Sequence, residues 1–466
     1  MIVSPTFQQM NSVKPMINVG CLFDIPTGTY LPGVHGESLL NGGLAYLTAI
    51  VAQGNFFKST IKNYMMLSAY EKIANQTKES SMTTYDTEIN THESGLKRLM
   101  ERFPSLDPDT IFTNGAWTIT DASVMYGDEF FKHLKEFLKL KMEHKKDISY
   151  NLPFVDRDGS TPLNMLVPTF GDIDSLSEFT TSDVVDISNK FDLGDSGGNT
   201  LHMRSGLSKT RLLMDLPALT SRHNHYMLMT GQVGKEIPMG TGPMAVPQKK
   251  LQFLKNSDKI KGVTDKFMFL IHNMWQVRNC SLLLNKSTNE PEFPSGDSYN
   301  KDPDLNLVNL MLVRSKSGES GVSIDIIVSQ TEGVLPHLSQ FYYLKNSGRF
   351  GLSGNDRNYQ LELLPDVNLS RTTVRSKIDE NPKLRRALEI TSELCQITQY
   401  WRNIDRELIC TPKELYEGIK SQGYDWDKIL ETRGWWTIDN DNHPVPFLST
   451  MDLMKMRLGL YKPYSL

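Results

Sequence analysis

The chain has 466 residues, enough for about three average domains or one large core with appendages, and its 39% apolar and 22% charged residues are ordinary for a globular protein. Lys plus Arg (50) against Asp plus Glu (54) gives a formal charge of −4, which excludes a global basic field for nucleic acid and leaves any such contact to local loops. The start "MIVSPTFQQMNSVKPM" lacks a charged stretch followed by an apolar one, and runs such as "FMFLI" are too short for a bilayer; the expectation is a cytoplasmic protein with no membrane partner.

In chain order, the first strong apolar segment is "LAYLTAIVA" (44–52), read as a strand, followed by the polar "QGNFFKST" (53–60) and by "IKNYMMLSAYEKI", which has helical spacing. Further strands are expected at "SMTTYD" (81–86), "NMLVPTF" (164–170), "HYMLMT" (225–230) and "KFMFLIHNMWQV" (266–277), most of them too apolar to be half exposed. Helical patterns lie between several of them, as in residues 121–146, where Phe, Leu and Met recur at three and four residues. This alternation predicts an α/β fold with a mainly parallel central sheet.

Two later strands, "LVNLMLVRS" (307–315) and "GVSIDIIVSQ" (321–330), are joined by "KSGES" and predict a hairpin at the sheet edge. The polar stretch 285–304 reads as a surface loop. The Gly- and Asn-rich "NSGRFGLSGNDRNY" (346–359) predicts a domain boundary, followed by a mostly helical C-terminal domain over 352–466. Its strongest helix is "NPKLRRALEITSELCQITQYW", and its clearest start is "CTPKELYEGIKSQG", with Thr411 as cap, Pro412 in the first turn and Glu414 three residues on. Cys21, Cys280, Cys395 and Cys410 are widely spaced and read as buried free thiols; the scattered histidines predict no zinc site.

Residues 52–59, "AQGNFFKS", follow the outline of a phosphate-binding loop, in which backbone N–H groups and a helix N-terminus surround phosphate, a Lys neutralises it and a hydroxyl holds magnesium. Lys58 and Ser59 have the last two roles. Ala52 and Phe57 stand where the strict pattern has Gly. Two strand ends add carboxylates: Asp86 and Glu88 in "YDTEIN", which could orient a water, and Asp172 and Asp174 in "GDIDSL", where a magnesium-linked carboxylate is expected. Taken singly, each also reads as a solvated acid at a strand end.

The ordered set "IVAQGNFFKST", "YDTEIN", "GDIDSL", "YMLMTGQVGKEI" and "LVRSKSGES" resembles the RecA family of DNA strand-exchange ATPases, and within it the UvsX-type recombinases of T-even-like bacteriophages, from about Pro26 to Gly351. Those phage proteins also have a phosphate loop ending Phe-Lys-Ser and an acidic strand end reading Tyr-Asp-x-Glu. The resemblance implies a RecA-like P-loop ATPase core over 29–351, an N-terminal arm over 1–28 that serves oligomerisation, and ATP and Mg2+ as cofactors. It implies that Gly54, Asn55, Phe56, Phe57, Lys58, Ser59 and Thr60 hold the nucleotide and that Ser59 and Asp174 hold the metal. Glu88 becomes the general base and Gln232 the γ-phosphate sensor. Arg314 and Lys316 become cations that reach a neighbouring subunit's ATP.

It also implies DNA contacts from two loops, 192–211 and 234–250, with Arg204, Lys209, Arg211, Lys235, Lys249 and Lys250 supplying charge to the DNA backbone. The implied partners are single- and double-stranded DNA, further copies of the chain in a helical filament with ATP at the subunit interface, and single-strand-binding and loader proteins; for a phage-encoded chain the compartment is the infected host's cytoplasm. "THESGLKRL" (91–99) has no aromatic residue where bacterial RecA stacks on adenine. A hexameric replicative helicase of the DnaB type and a non-catalytic RecA paralogue acting as mediator are the alternatives. The first lacks support from a collar domain, and the second runs against the joint presence of Lys58, Ser59, Glu88 and Asp174.

Overall fold

A computed structural model describes residues 13–74, 76–156, 159–190, 201–235, 251–255, 257–263, 265–294 and 303–464, without the side chains of 201–208 and 265. Its centre is a ten-stranded sheet, numbered here along the chain: β1 Leu47–Ala52, β2 Met82–Asp86, β3 Trp117–Asp121, β4 Thr169–Asp174, β5 His225–Lys235, β6 Asp258–Ile260, β7 Asn273–Leu282, β8 Leu305–Ser315, β9 Ser323–Ser329 and β10 Gly333–Val334. The spatial order is β10-β9-β8-β7-β1-β5-β4-β2-β3, with β6 added antiparallel to β5. The six strands from β7 to β3 are mutually parallel; β8, β9 and β10 extend the sheet antiparallel. The protein is therefore a mixed α/β fold around a large, mostly parallel sheet.

Helices cover both faces. All of β1 is buried; Leu47, Ala49 and Val51 enter one apolar cluster and Ile50 and Ala52 the other, so the segment reads as a continuous apolar run. On one face α1, Lys58–Ala74, packs on β1, β4 and β5 through Ile61, Met65 and Met66. On the other lie α2, Gly127–Glu143, and α3, Leu201–His223, whose buried Phe130, Phe131, Leu134 and Leu138 and Leu213 and Leu216 keep helical spacing. No described helix is long and apolar enough to cross a membrane.

Several expectations change in detail. The run expected as one strand over 266–277 is a helix, α4 (Asp265–Leu270), followed by β7: Phe267, Met268 and Ile271 are buried while Phe269 is 51% exposed, a helical pattern that a short apolar run hides. Residues 164–170 split at Val167–Pro168 into a separate two-stranded hairpin (Ser149–Val155 with Pro162–Leu166) and β4; Pro168 has no N–H to give a central ladder. The helix expected over 121–146 starts at Gly127. Of the irregular segment expected over 192–211, residues 201–211 are the first half of α3, and 192–200 lie outside the described residues.

The C-terminal region opens with a three-stranded antiparallel sheet (Leu352–Asn355, Asn358–Leu361, Leu364–Leu369) and continues in helices. Of these, α6 (Pro382–Tyr400) packs on α5 (Pro336–Asn346). The start of the next helix, Pro412–Ser421, is as expected: Thr411 accepts from the Glu414 N–H, and Glu414 reaches back to the Thr411 N–H at 2.8 Å. The core does not stop at the expected boundary. Leu384, Leu388 and Trp436 share a cluster with Ile17, Phe23 and the α1 side of the sheet. Residues 1–12 lie outside the described residues, but Met16, Ile17, Val19, Leu22, Phe23 and Ile25 are buried in the chain's own core, so this part of the expected arm is not free to reach a neighbour.

Candidate functional site

The segment expected to bind phosphate, residues 53–57, leaves β1 at its carboxyl end and turns directly into α1. Gln53, Gly54 and Asn55 are exposed, while Phe56 and Phe57 are half-buried against the apolar cluster below and anchor the turn. Asn55 (φ 58°) and Phe57 (φ 56°) are both left-handed. Phe57 thus adopts, at a cost of about 1–3 kcal/mol, the backbone conformation that glycine takes freely at the position the strict pattern reserves for it. The Ile61 N–H bonds the Phe57 carbonyl at 3.0 Å, and Lys58, Ser59 and Thr60 form the first turn of a 17-residue helix. Their N–H groups and the helix dipole favour an anion there.

The carboxylates converge on the same edge by register. Ala52 is paired with Gln232, and Asp86 with Asp174. Asp86 is 1% exposed and accepts four backbone N–H groups: Glu88 and Ile89 on one oxygen, each at 3.0 Å, and Asn90 at 2.8 Å and Thr91 at 2.6 Å on the other. It therefore fixes the loop that holds the exposed Glu88. The Ser175 hydroxyl donates to Glu88 Oε1 at 2.9 Å, and Asn90 Nδ2 to Oε2 at 3.1 Å.

Beneath these groups is a buried charge network. Lys62, one turn beyond Lys58, reaches Asp172 at 2.6 Å and Asp174 at 3.2 Å, and all three side chains are enclosed. Thr84 donates to Asp172 and Thr230 to Asp174, each at 2.5 Å. Burial opposes the Lys62 ammonium, but the two carboxylates outweigh it and raise its pKa. Burial likewise opposes ionisation of Asp174; Lys62 and the hydroxyls of Thr230 and Ser59 overcome it and hold the carboxyl below its ordinary range. Asp172 lacks the second hydroxyl, and burial pushes its pKa up against the pull of Lys62. One ammonium serves two acids, and of the two Asp174 has the surroundings that favour the ionised form more.

Ser59 and Asp174 are thus brought together, and Glu88 stands one strand away. Hydroxyl and carboxylate oxygens are the donors a hard cation such as Mg2+ takes, and such an ion relies largely on phosphate and water for the remainder. Among the described residues no cluster of three or more His, Cys, Asp or Glu could hold a metal without such help. Gln232 accepts a 3.4 Å bond from Lys261 and is tied through its N–H to Ser177 at 2.9 Å.

Arg314 and Lys316 lie at the other edge. Arg314 pairs with Met274, which pairs with Ala49 in β1, so about four residues of strand, roughly 13 Å, separate this level from the turn that begins at Gln53. Arg314 donates to the carbonyls of Ile271 (3.1 Å) and Phe269 (3.3 Å), and Lys316 to Leu270 (3.0 Å), so together they cap the C-terminus of α4. Among the expected DNA contacts, Arg211 is exposed on α3, and Lys235 is exposed but paired with Asp258 at 2.5 Å. Lys209 is 7% exposed, and burial lowers its pKa. Lys249 and Lys250 lie outside the described residues, as does the side chain of Arg204.

Sequence reasoning missed Lys62, Ser175, Thr84 and Thr230. Lys62 left a signal, a lysine four residues after Lys58 beside the apolar Ile61, Met65 and Met66; the hydroxyls left none. No family model matches the chain, and no curated protein does.

Proposed function

We propose that the chain is an ATP-dependent DNA recombinase that assembles on single-stranded DNA, pairs it with homologous duplex and exchanges strands. The observation that carries this reading is the meeting of Lys58, Ser59, Asp174, Glu88 and Gln232 at one sheet edge, through the Ala52–Gln232 and Asp86–Asp174 registers. The RecA-like resemblance gives those same five residues as the ATPase machinery.

The chemistry follows from the positions. The first turn of α1 and Lys58 bind the phosphates of ATP. Ser59 and Asp174 are the residues that would hold Mg2+, which would supply neutralising charge to the phosphate oxygens. Glu88, held by Ser175 and by the loop that Asp86 fixes, accepts the proton of the water that attacks the γ-phosphorus, and ADP leaves. Lys62 keeps Asp174 ionised and so leaves it competent for a cation. Gln232, beside the loop that begins at Ala52, relays the presence of the γ-phosphate to the segment after β5.

Arg314 and Lys316 are too far along the sheet to serve this chain's own site, so in this reading they act on a stacked neighbour's phosphates. The test is electron microscopy of the full chain with single-stranded DNA and a non-hydrolysable ATP analogue. Helical filaments that need both components are expected. Closed rings would favour a hexameric helicase, and particles with no DNA-dependent assembly would overturn the recombinase reading.

A further inference from the structure

A cavity of about 500 Å³ lies where the segment 18–25, α1, α5 and α6 meet; no residue of the phosphate loop lines it. It is large against the ~30 Å³ of a water molecule and within the range of small-molecule sites. Six carboxyl groups line it but only three Lys or Arg side chains. Three of the acids act on one site: Asp24, and Glu389 and Glu393 one turn apart on α6, with the charge of Glu389 felt by both of the others. Asp24 accepts the N–H groups of Val19 and Gly20, each at 2.9 Å. Lys72, the nearest cation to Asp24, directs its hydrogen bonds to Ser68 instead, at 2.7 Å to Oγ and 3.3 Å to the carbonyl.

A second observation concerns acceptors without donors. Asn18 Oδ1 and Gln340 Oε1 have no hydrogen-bond partner, although the two residues are 2% and 1% exposed and both line the cavity. Their amide orientations are fixed from the other end. Asn18 Nδ2 donates to the carbonyls of Leu40 (3.0 Å) and Gly42 (3.1 Å), and Gln340 Nε2 to that of Cys21 (3.1 Å). A buried acceptor left unpaired is destabilising, so a donor that enters the cavity is favoured there. The wall therefore combines two unpaired acceptors with carboxyl groups that outnumber its Lys and Arg side chains, although Glu389 is itself paired with Arg386 at 2.7 Å.

We propose that this cavity binds a small organic ammonium compound, a compact mono- or diamine, whose N–H groups donate to Gln340 and Asn18 and whose charge is balanced by Asp24, Glu389 and Glu393. An anion would meet the excess of carboxylates, and among the described residues no cluster of three acids, His or Cys is arranged to hold a metal ion. The titration behaviour agrees. Burial pushes Asp24 up to about 7 against the pull of Lys72, and burial followed by the charge of Glu389 pushes Glu393 up. Lys72 and Arg386 offset burial only in part for these two carboxyls, and a bound ammonium adds to them.

Calorimetry on the full chain at physiological salt, where loose surface association is screened, tests this with 1,4-diaminobutane and its uncharged analogue 1,4-butanediol. Saturable one-to-one binding of the diamine and none of the diol is expected. Glu393→Gln should weaken the diamine at least about tenfold, as should Gln340→Met, which keeps the volume and removes the acceptor. Glu136→Gln, at an exposed acid on α2, should leave it unchanged. No saturable binding, equal binding of the diol, or equal weakening by Glu136→Gln would overturn the proposal. If Glu393→Gln does not fold, the diamine–diol contrast and Gln340→Met decide it. None of these measurements involves nucleotide or DNA.

Discussion

At the carboxyl edge of the large sheet the acids are sunk and fully engaged, whereas at the amino edge Arg314 and Lys316 sit near the surface on main-chain carbonyls. Asp86, Asp172 and Asp174 are each at most 3% exposed, and their partners are an enclosed ammonium, hydroxyls and four backbone N–H groups. Such charges persist only where their partners are fixed, so this edge is preorganised. The cations at the other edge meet a helix C-terminus near the surface, an interaction worth about 0.3–1 kcal/mol each. They can exchange a helix end for another anion at little cost, which is what a group that acts on a neighbouring subunit needs.

The strongest way to sharpen this contrast is at Glu88. Glu88→Gln keeps the shape and removes the base, so in the proposed ATPase turnover should fall by roughly two to four orders of magnitude while ATP affinity stays near the parent's. Steady-state hydrolysis and equilibrium nucleotide binding measure the two; unchanged turnover would remove Glu88 as the base.

Lys62 tests preorganisation without any nucleotide. Lys62→Met keeps the length but strands two enclosed carboxylates, and urea unfolding should register a loss of about 3–5 kcal/mol. A loss under about 1 kcal/mol would mean that the carboxyl edge is no better fixed than the amino edge. Adding Asp172→Asn should restore part of the loss, since one acid then remains for the hydroxyls alone.

The sequence made much of this legible, for identifiable reasons. β1 and β5 were readable because strands buried on both faces are largely apolar, and β2 was found at its expected place, whereas the strand expected over 164–170 meets β4 only at Thr169 and Phe170. The cap at Thr411 was readable because capping is local chemistry. What failed was length and distance. "FMFLI" is too short for its period to separate helix from strand, and no local signal showed that Ile17 and Phe23 share a core with Leu388. The four N–H bonds to Asp86 and the Lys62 network were hidden because they depend on which strands become neighbours.

The smallest expected effect on folding, and the most direct test of the two-edge account, comes from Arg314→Ala/Lys316→Ala. Alone, this variant should lose about 1–2 kcal/mol from the end of α4, bind ATP and hydrolyse it poorly. Mixed with Glu88→Gln subunits it should recover, because a junction in which the Glu88→Gln subunit lends its cations to a double-alanine neighbour has an intact Glu88 and intact cations. The decisive measurement is the DNA-dependent ATPase rate against mixing fraction, with co-assembly verified. The account predicts a curve that rises above both pure variants at intermediate fractions; a flat line would contradict it.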